Sequence, residues 1–506
     1  MILPIIIGTT DVQAGAQSRG PVVMVQDLVD GGEVDCSEAI QQALTINLRV
    51  GLPKGRFLVK SAIQLGEGQE VIGEGKETVL LAGVSNQCVF VARKCARVCV
   101  RELSIDGGGQ TRDVYSGLRG VTGINFDAVS DYRIERVSIT NCGVMRKGDT
   151  RDDGYHGGFG ILITAQGGAT RRGYLEKCAV SKIAGGGYFR GDGIYFGGNG
   201  SNEVNAVVRD CRVDEVGRHA FTVTSANGKA LESNSVVFSG CTGSRTALSG
   251  LDVEGAGRVR VDRCCFERCG VDTKYYDAER VYGSEYRLMA GIACSNDDFQ
   301  VIISDSQIDN SYYGITYGAV SELKIERVTV RNSSKADLAL RLANGPKRAL
   351  FNELQCLSSI GVQLGSTFAN RELLVRRCIF AGPVKISGPG GGEFSRCDFQ
   401  EGFRIAGRNV TLLRFFDCDF YARRGPGIGF DVPFARSSDC EVRACRFLGR
   451  DKMTFGIEFS PEAARRWSII DSRFVGQSVA PLNITAEEAE RSMITISSTV
   501  SLESPR

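Results

Sequence analysis

Gly193-Ile194-Tyr195-Phe196, Ala220-Phe221-Thr222-Val223 and Gly250-Leu251-Asp252-Val253 carry one phrase: a small residue, then apolar, any, apolar. It returns at Gly123-Ile124-Asn125-Phe126, Gly160-Ile161-Leu162-Ile163, Gly291-Ile292-Ala293-Cys294, Gly314-Ile315-Thr316-Tyr317, Gly361-Val362-Gln363-Leu364 and Gly456-Ile457-Glu458-Phe459. Residues two apart share one side of an extended chain, so each copy reads as a short strand with one face inward. A second phrase alternates with the first and ends on Cys, then an apolar residue. Leu175-Glu176-Lys177-Cys178-Ala179-Val180, Val208-Arg209-Asp210-Cys211-Arg212-Val213 and Arg443-Ala444-Cys445-Arg446-Phe447 are copies. Val137, Ser306, Val328 and Ser472 take the Cys position elsewhere. Successive copies lie roughly 20 to 40 residues apart, the range of solenoid repeats.

With no helical stretch between the strands, βαβ units are excluded. A coil of this kind buries its apolar face only against its neighbours. The expected fold is all-β: a right-handed parallel β-helix, with coils about 4.8 Å apart along the axis. The Cys position then points inward, where a thiol behaves as a small hydrophobe. Reduced, stacked thiols are the expectation for the 18 cysteines, and no metal is expected, since no paired CxxC motifs or His cluster appear.

The chain divides into an arm (residues 1–30), a cap with the first coils (31–80), the β-helix (81–484) and a C-terminal strand or tail (485–506). Asp35-Cys36-Ser37-Glu38-Ala39-Ile40-Gln41-Gln42-Ala43-Leu44 reads as an amphipathic helix, with Asp35 or Ser37 able to cap it. Such a helix plugs the open first coil and hides its strand edges. Over 506 residues, 61 basic and 59 acidic side chains leave a formal charge of +2. That balance excludes the basic footprint of a nucleic-acid binder. No apolar run of about 18 residues is present, so no membrane span is expected. The apolar opening Met1–Ile7 is short and lacks a basic start, so it reads as a packing arm rather than a secretion signal.

The capping helix, the turn Leu52-Pro53-Lys54-Gly55 and the strand end Gly73-Glu74-Gly75 resemble the opening of the pectate-lyase-like β-helix superfamily. Within it the chain is most similar in kind to phage tailspikes and polysaccharide depolymerases. The resemblance implies the fold specifically. For activity it implies a range: hydrolases, lyases, epimerases and non-catalytic spikes. It further implies a bacterial surface polysaccharide as partner, a homotrimer, a place on a virion tail and contacts with other tail proteins through residues 1–30. A secreted protein is the alternative location.

Stacking the first phrase aligns Asp192, His219 and Ser249, one per coil, beside Arg218, at about 5 Å spacing. Asp252 and Glu254 lie two apart on one strand, so both point outward with Cα atoms about 7 Å apart. That spacing suits an acid and a base with water between them, as in inverting glycosidases. Gly250-Leu251-Asp252-Val253-Glu254 also resembles a segment of several carbohydrate-active β-helix proteins. Two insertions bracket this patch. One carries Asp152, Asp153, Tyr155 and His156; the other carries Tyr275, Tyr276, Tyr282, Glu285, Tyr286 and Arg287. Loops raised on both sides of a flat face form a groove, and tyrosine rings stack on the apolar faces of sugars.

Three readings follow. In a hydrolase, Asp252 and Glu254 are the catalytic pair and Asp192 an alternative carboxylate. Arg218, His219, Tyr195, His156, Tyr275, Tyr276 and Tyr282 then bind substrate, with no metal or cofactor. In a lyase, a cation near Asp192 is the base and carboxylates can hold Ca²⁺. In a non-catalytic fibre or receptor-binding spike, the outward acids are simply solvated.

Overall fold

The computed structural model describes residues 21–25, 28–108, 121–143, 158–184, 191–198, 202–225, 233–255, 257–270, 289–295, 300–318, 320–340, 346–365, 372–387, 391–406, 410–421, 425–430, 437–449, 453–459, 464–475, 477, 480–497 and 502–503. Their strands pair in parallel, rung on rung, into two sheets of 34 and 16 strands, which makes the molecule a right-handed parallel β-helix. The first phrase builds the smaller sheet. Ile124 pairs with Ile161, Ile161 with Ile194, Ile194 with Phe221, Phe221 with Leu251 and Leu251 with Ile292. All six side chains are fully buried in one continuous core. The second phrase builds the larger sheet, as in the pairings Leu175↔Val208, Val208↔Phe238 and Phe238↔Val261.

The Cys position has a physical reason. The residue before it bends the backbone into the left-handed region: Lys177 (φ 52°), Asp210 (52°), Arg263 (51°), Arg327 (51°), Asp417 (51°) and Ala444 (54°). After this bend the next side chain turns inward beside the carbonyl two residues back. Cys211 Sγ donates to Arg209 O at 3.4 Å, Cys418 Sγ to Phe416 O at 3.4 Å and Cys445 Sγ to Arg443 O at 3.3 Å. Where serine replaces cysteine it makes the same bond: Ser306 Oγ to Ser304 O at 2.7 Å and Ser472 Oγ to Ile470 O at 3.0 Å. None of the 18 cysteines is bonded to another. Burial pushes the Cys418 and Cys445 thiols well up, so they stay protonated and unreactive.

Further along, phenylalanines stack at the rung spacing. Phe399, Phe420, Phe447 and Phe474 lie 4.9, 4.7 and 4.6 Å apart between ring centres, all nearly coplanar. Each buried ring adds about 1.5–3 kcal/mol of transfer free energy.

A helix closes the N-terminal end. Ser37–Ile46 buries Ile40 and Leu44 against the first coil. The N-cap position itself is Cys36, without a side-chain cap. Asp35 instead accepts the Ser37 amide at 3.0 Å, one residue further in. The C-terminal segment is more than the expected strand or tail. A short helix, Ala486–Arg491, starts with a capping box between Thr485 and Glu488. Strands Thr495–Ser497 and Leu502–Glu503 then add to the larger sheet through Ser468↔Thr495 and Phe474↔Leu502.

Candidate functional site

The backbone ladder of the smaller sheet sets the site. Gly193 N donates to His219 O at 2.9 Å, and Ala220 N to Ser249 O at 3.0 Å. Asp192, His219 and Ser249 therefore stand in one column, as the spacing of the phrase predicts. Thr222 pairs with Asp252, and Thr224 with Glu254. Tyr195 pairs with Thr222, so it sits two rungs from Asp252 in the same outward column.

Close packing explains why small residues precede each strand. A Cβ on Gly193 would come within 2.2 Å of a Val213 methyl carbon. In the next rung the phrase departs from glycine, with Ala220. There the facing residue is Gly243, the rung partner of Val213, so the space is exchanged across the core.

The side chains form a connected cluster. Arg218 Nε donates to Asp192 Oδ1 at 2.9 Å, and the His219 backbone N–H donates to the same oxygen at 3.1 Å. The Ser249 backbone N–H donates to His219 Nδ1 at 3.1 Å. His219 Nε2 lies 3.6 Å from Asp252 Oδ2, a close approach longer than a hydrogen bond. Thr222 Oγ1 faces Asp192 without completing a hydrogen bond.

Burial departs from the sequence-based expectation of outward, solvated acids. Asp192 is 0 % exposed, and His219 and Asp252 are each 2 % exposed. The outer face of the sheet is covered at these rungs, while Glu254 and Tyr195 remain half-buried. Burial pushes the Asp192 carboxyl above its ordinary value, and the Arg218 charge beside it pulls the other way. Burial also pushes the Tyr195 phenol up, against the Arg218 charge. The Tyr195 ring packs edge-on against Phe159, with centres 5.4 Å apart.

The structure thus brings together Asp192, Arg218, His219 and Asp252, with Glu254 on the Asp252 strand and Tyr195 close by. Both donors engage Asp192 Oδ1, while Oδ2 is buried without a hydrogen-bond partner among the described residues. His156, Tyr275, Tyr276 and Tyr282 lie outside the described residues. Thr222 joins the cluster without having been singled out in the sequence. Its signal was its place in the strand Ala220-Phe221-Thr222-Val223, one rung before Asp252. Among the described residues no group of three or more His, Cys, Asp or Glu is arranged to hold a metal. No helix of the described residues is long and apolar enough to cross a membrane.

Comparison with known proteins agrees on the fold. None of the curated proteins matches the chain in sequence. A surface adhesin of Streptococcus pneumoniae is similar in structure at 12% identity, with a TM-score of 0.49, over 78% of this chain and 92% of its own. The catalytic unit of a thermostable alpha-1,3-glucanase from Streptomyces thermodiastaticus shares 12% identity at a TM-score of 0.46, over 92% of this chain and 71% of its own. A tailspike protein of Bacteriophage CBA120 shares 9% identity at a TM-score of 0.39, over 96% of this chain and 62% of its own. None of these likenesses bears on activity. Residues 122–336 match the family model described as a right handed beta helix region, and the rungs on either side continue the same two sheets.

Proposed function

We propose that this protein binds a bacterial surface polysaccharide along the outer face of the smaller sheet and hydrolyses it there, in the manner of a phage tailspike. Such a protein works on a virion tail or otherwise outside the cell. The observation that carries the reading is the buried Arg218–Asp192–His219–Asp252 cluster on an outward face, with Glu254 on the same strand as Asp252. A stack of solvated surface residues has no reason to assemble charged groups under cover, because burying them is costly unless each is paired. A buried cluster of that kind is a candidate functional site.

In the proposed reaction a water attacks the anomeric carbon and gives its proton to one carboxylate. The other carboxyl protonates the departing glycosidic oxygen, so two carboxyl groups and one water balance the step. Asp252 is buried in this structure, so glycan binding has to expose it. The lyase alternative is less favoured. Its base was to be a cation near Asp192, and Arg218 stands there tied to that carboxylate. A guanidinium held in an ion pair keeps its proton.

The test is degradation of a panel of bacterial surface glycans, followed by new reducing ends and by ultraviolet absorbance of unsaturated products. Reducing ends without that absorbance are expected. Asp252→Asn and Glu254→Gln should each lower the rate about 100-fold or more, the usual scale for a lost general acid or base. Variants that degrade as fast as the parent would remove the carboxylate assignment. Binding without any degradation by the parent would make the protein a receptor-binding spike.

A further inference from the structure

We infer that His219 is a neutral positioning residue that aims its Nε2–H at Asp252, which makes Asp252 the base and Glu254 the acid. The role assignment rests on the hydrolase reading above; the state of the imidazole does not.

The argument starts from the Ser249 backbone. An amide N–H only donates, so the nitrogen that receives it must offer a lone pair. That nitrogen is His219 Nδ1, at 3.1 Å. In a neutral imidazole the single proton then sits on Nε2. Nε2 faces Asp252 Oδ2 at 3.6 Å, and hydrogen bonds of this kind tighten when substrate is bound. A second proton on Nδ1 would set two N–H groups against each other. Ser249 is 0 % exposed and His219 2 %, so water cannot take over the lost bond.

The backbone of His219 is itself pinned. Its N–H donates to Asp192 Oδ1, which Arg218 also holds. That frame fixes where the side chain starts, and the Ser249 N–H sets the direction of Nδ1. Among the described residues, the charged and titratable groups around it are Asp192 and Arg218 on one side, Asp252 and Glu254 on the other, and Tyr195 across the column. Burial of Asp252 works against its ionised form, and an N–H aimed at it from 3.6 Å works for that form as the distance closes. Asp252 is the carboxylate so addressed. It is the one prepared to take a proton from water, and Glu254 is left to deliver one to the leaving oxygen.

Three measurements test this. The chain has only two histidines, so a ¹⁵N-labelled His156→Gln variant shows the His219 ring alone. Its long-range ¹H–¹⁵N correlations should give the Nε2–H tautomer throughout about pH 5 to 8, where an ordinary imidazole titrates. An Nδ1–H tautomer, or conversion to imidazolium inside that window, overturns the inference. This arm needs no substrate, so it fails or stands apart from the hydrolase reading. The second arm is chemical rescue with azide, which can replace base-activated water. Azide should restore turnover to Asp252→Asn and not to Glu254→Gln, while a substrate with an activated leaving group should restore Glu254→Gln. The opposite pattern reverses the two roles. His219→Gln, whose amide nitrogen reaches the Nε2 position, should keep turnover that His219→Asn loses by about tenfold or more, with KM little changed. Equal loss in both variants shows that the donor to Asp252 is not what His219 supplies.

Discussion

At the scale of single residues, the buried acids set the most specific expectations. Asp337 holds the position that Gly314 holds one rung earlier, and it is 0 % exposed. The Ser358 amide donates to Asp337 Oδ2 at 2.8 Å, and the Ser358 hydroxyl bonds the other oxygen. Burial pushes this carboxyl above the ordinary 3.8, against those hydrogen bonds. The folded chain therefore keeps a proton over a range in which the unfolded chain has lost it. The stability linked to that proton is complete below the unfolded value and declines as pH rises through the raised folded value. Asp337→Asn has no such proton to lose. Urea midpoints of parent and variant, measured from about pH 4 to pH 7, should diverge with the parent falling relative to the variant. A constant difference across that range would mean that Asp337 is ionised already in the folded protein at the acid end.

At the scale of the element, the inward bend explains an interchange that composition alone leaves odd. Cys and Ser occupy one position because both are small and both donate to the carbonyl two residues back. Cys418→Ser should therefore leave the urea midpoint nearly unchanged. Cys418→Ala loses the donor and leaves a small void, and should cost about 1 kcal/mol or somewhat more. Equal effects of the two substitutions would show that volume, not the hydrogen bond, selects the residue. Cysteines at this position, such as Cys211, Cys418 and Cys445, thus report a coil geometry, and the buried, protonated thiols of Cys418 and Cys445 fit that role.

At the scale of the whole molecule, each rung touches only its neighbours, so stability is close to a sum of local terms. Phe447→Ala removes one ring from the stack between Phe420 and Phe474 and should cost about 3–5 kcal/mol locally. The cluster at Asp192 and Asp252 lies many rungs away and should not feel it. Hydrogen exchange is the measurement: protection should fall in the strands Leu413–Phe416, Ser437–Arg443 and Ala464–Ile470 while the strand Phe221–Ser225 keeps its protection. Uniform loss along the chain would show one cooperative unit instead of a series of rungs. The N-terminal helix matters at this scale as well, because without it the first coil presents an open edge and apolar end to other chains.

The period-two alternation by itself determined the solenoid, the column of Asp192, His219 and Ser249 and the pairing of Ile194, Phe221 and Leu251. Alternation sets which side of a strand faces inward, and a phrase repeated in register can stack in only one way. It could not show that Asp252, outward by alternation, is nonetheless covered, since alternation sets the side a residue faces and not what lies against it. Nor could it show that Arg218 and the His219 amide both engage Asp192, or that Ser249 offers its N–H to the His219 ring. Those contacts depend on the turn between rungs and on side-chain direction, and only the folded chain brings a residue to about 3 Å from a partner some thirty positions away.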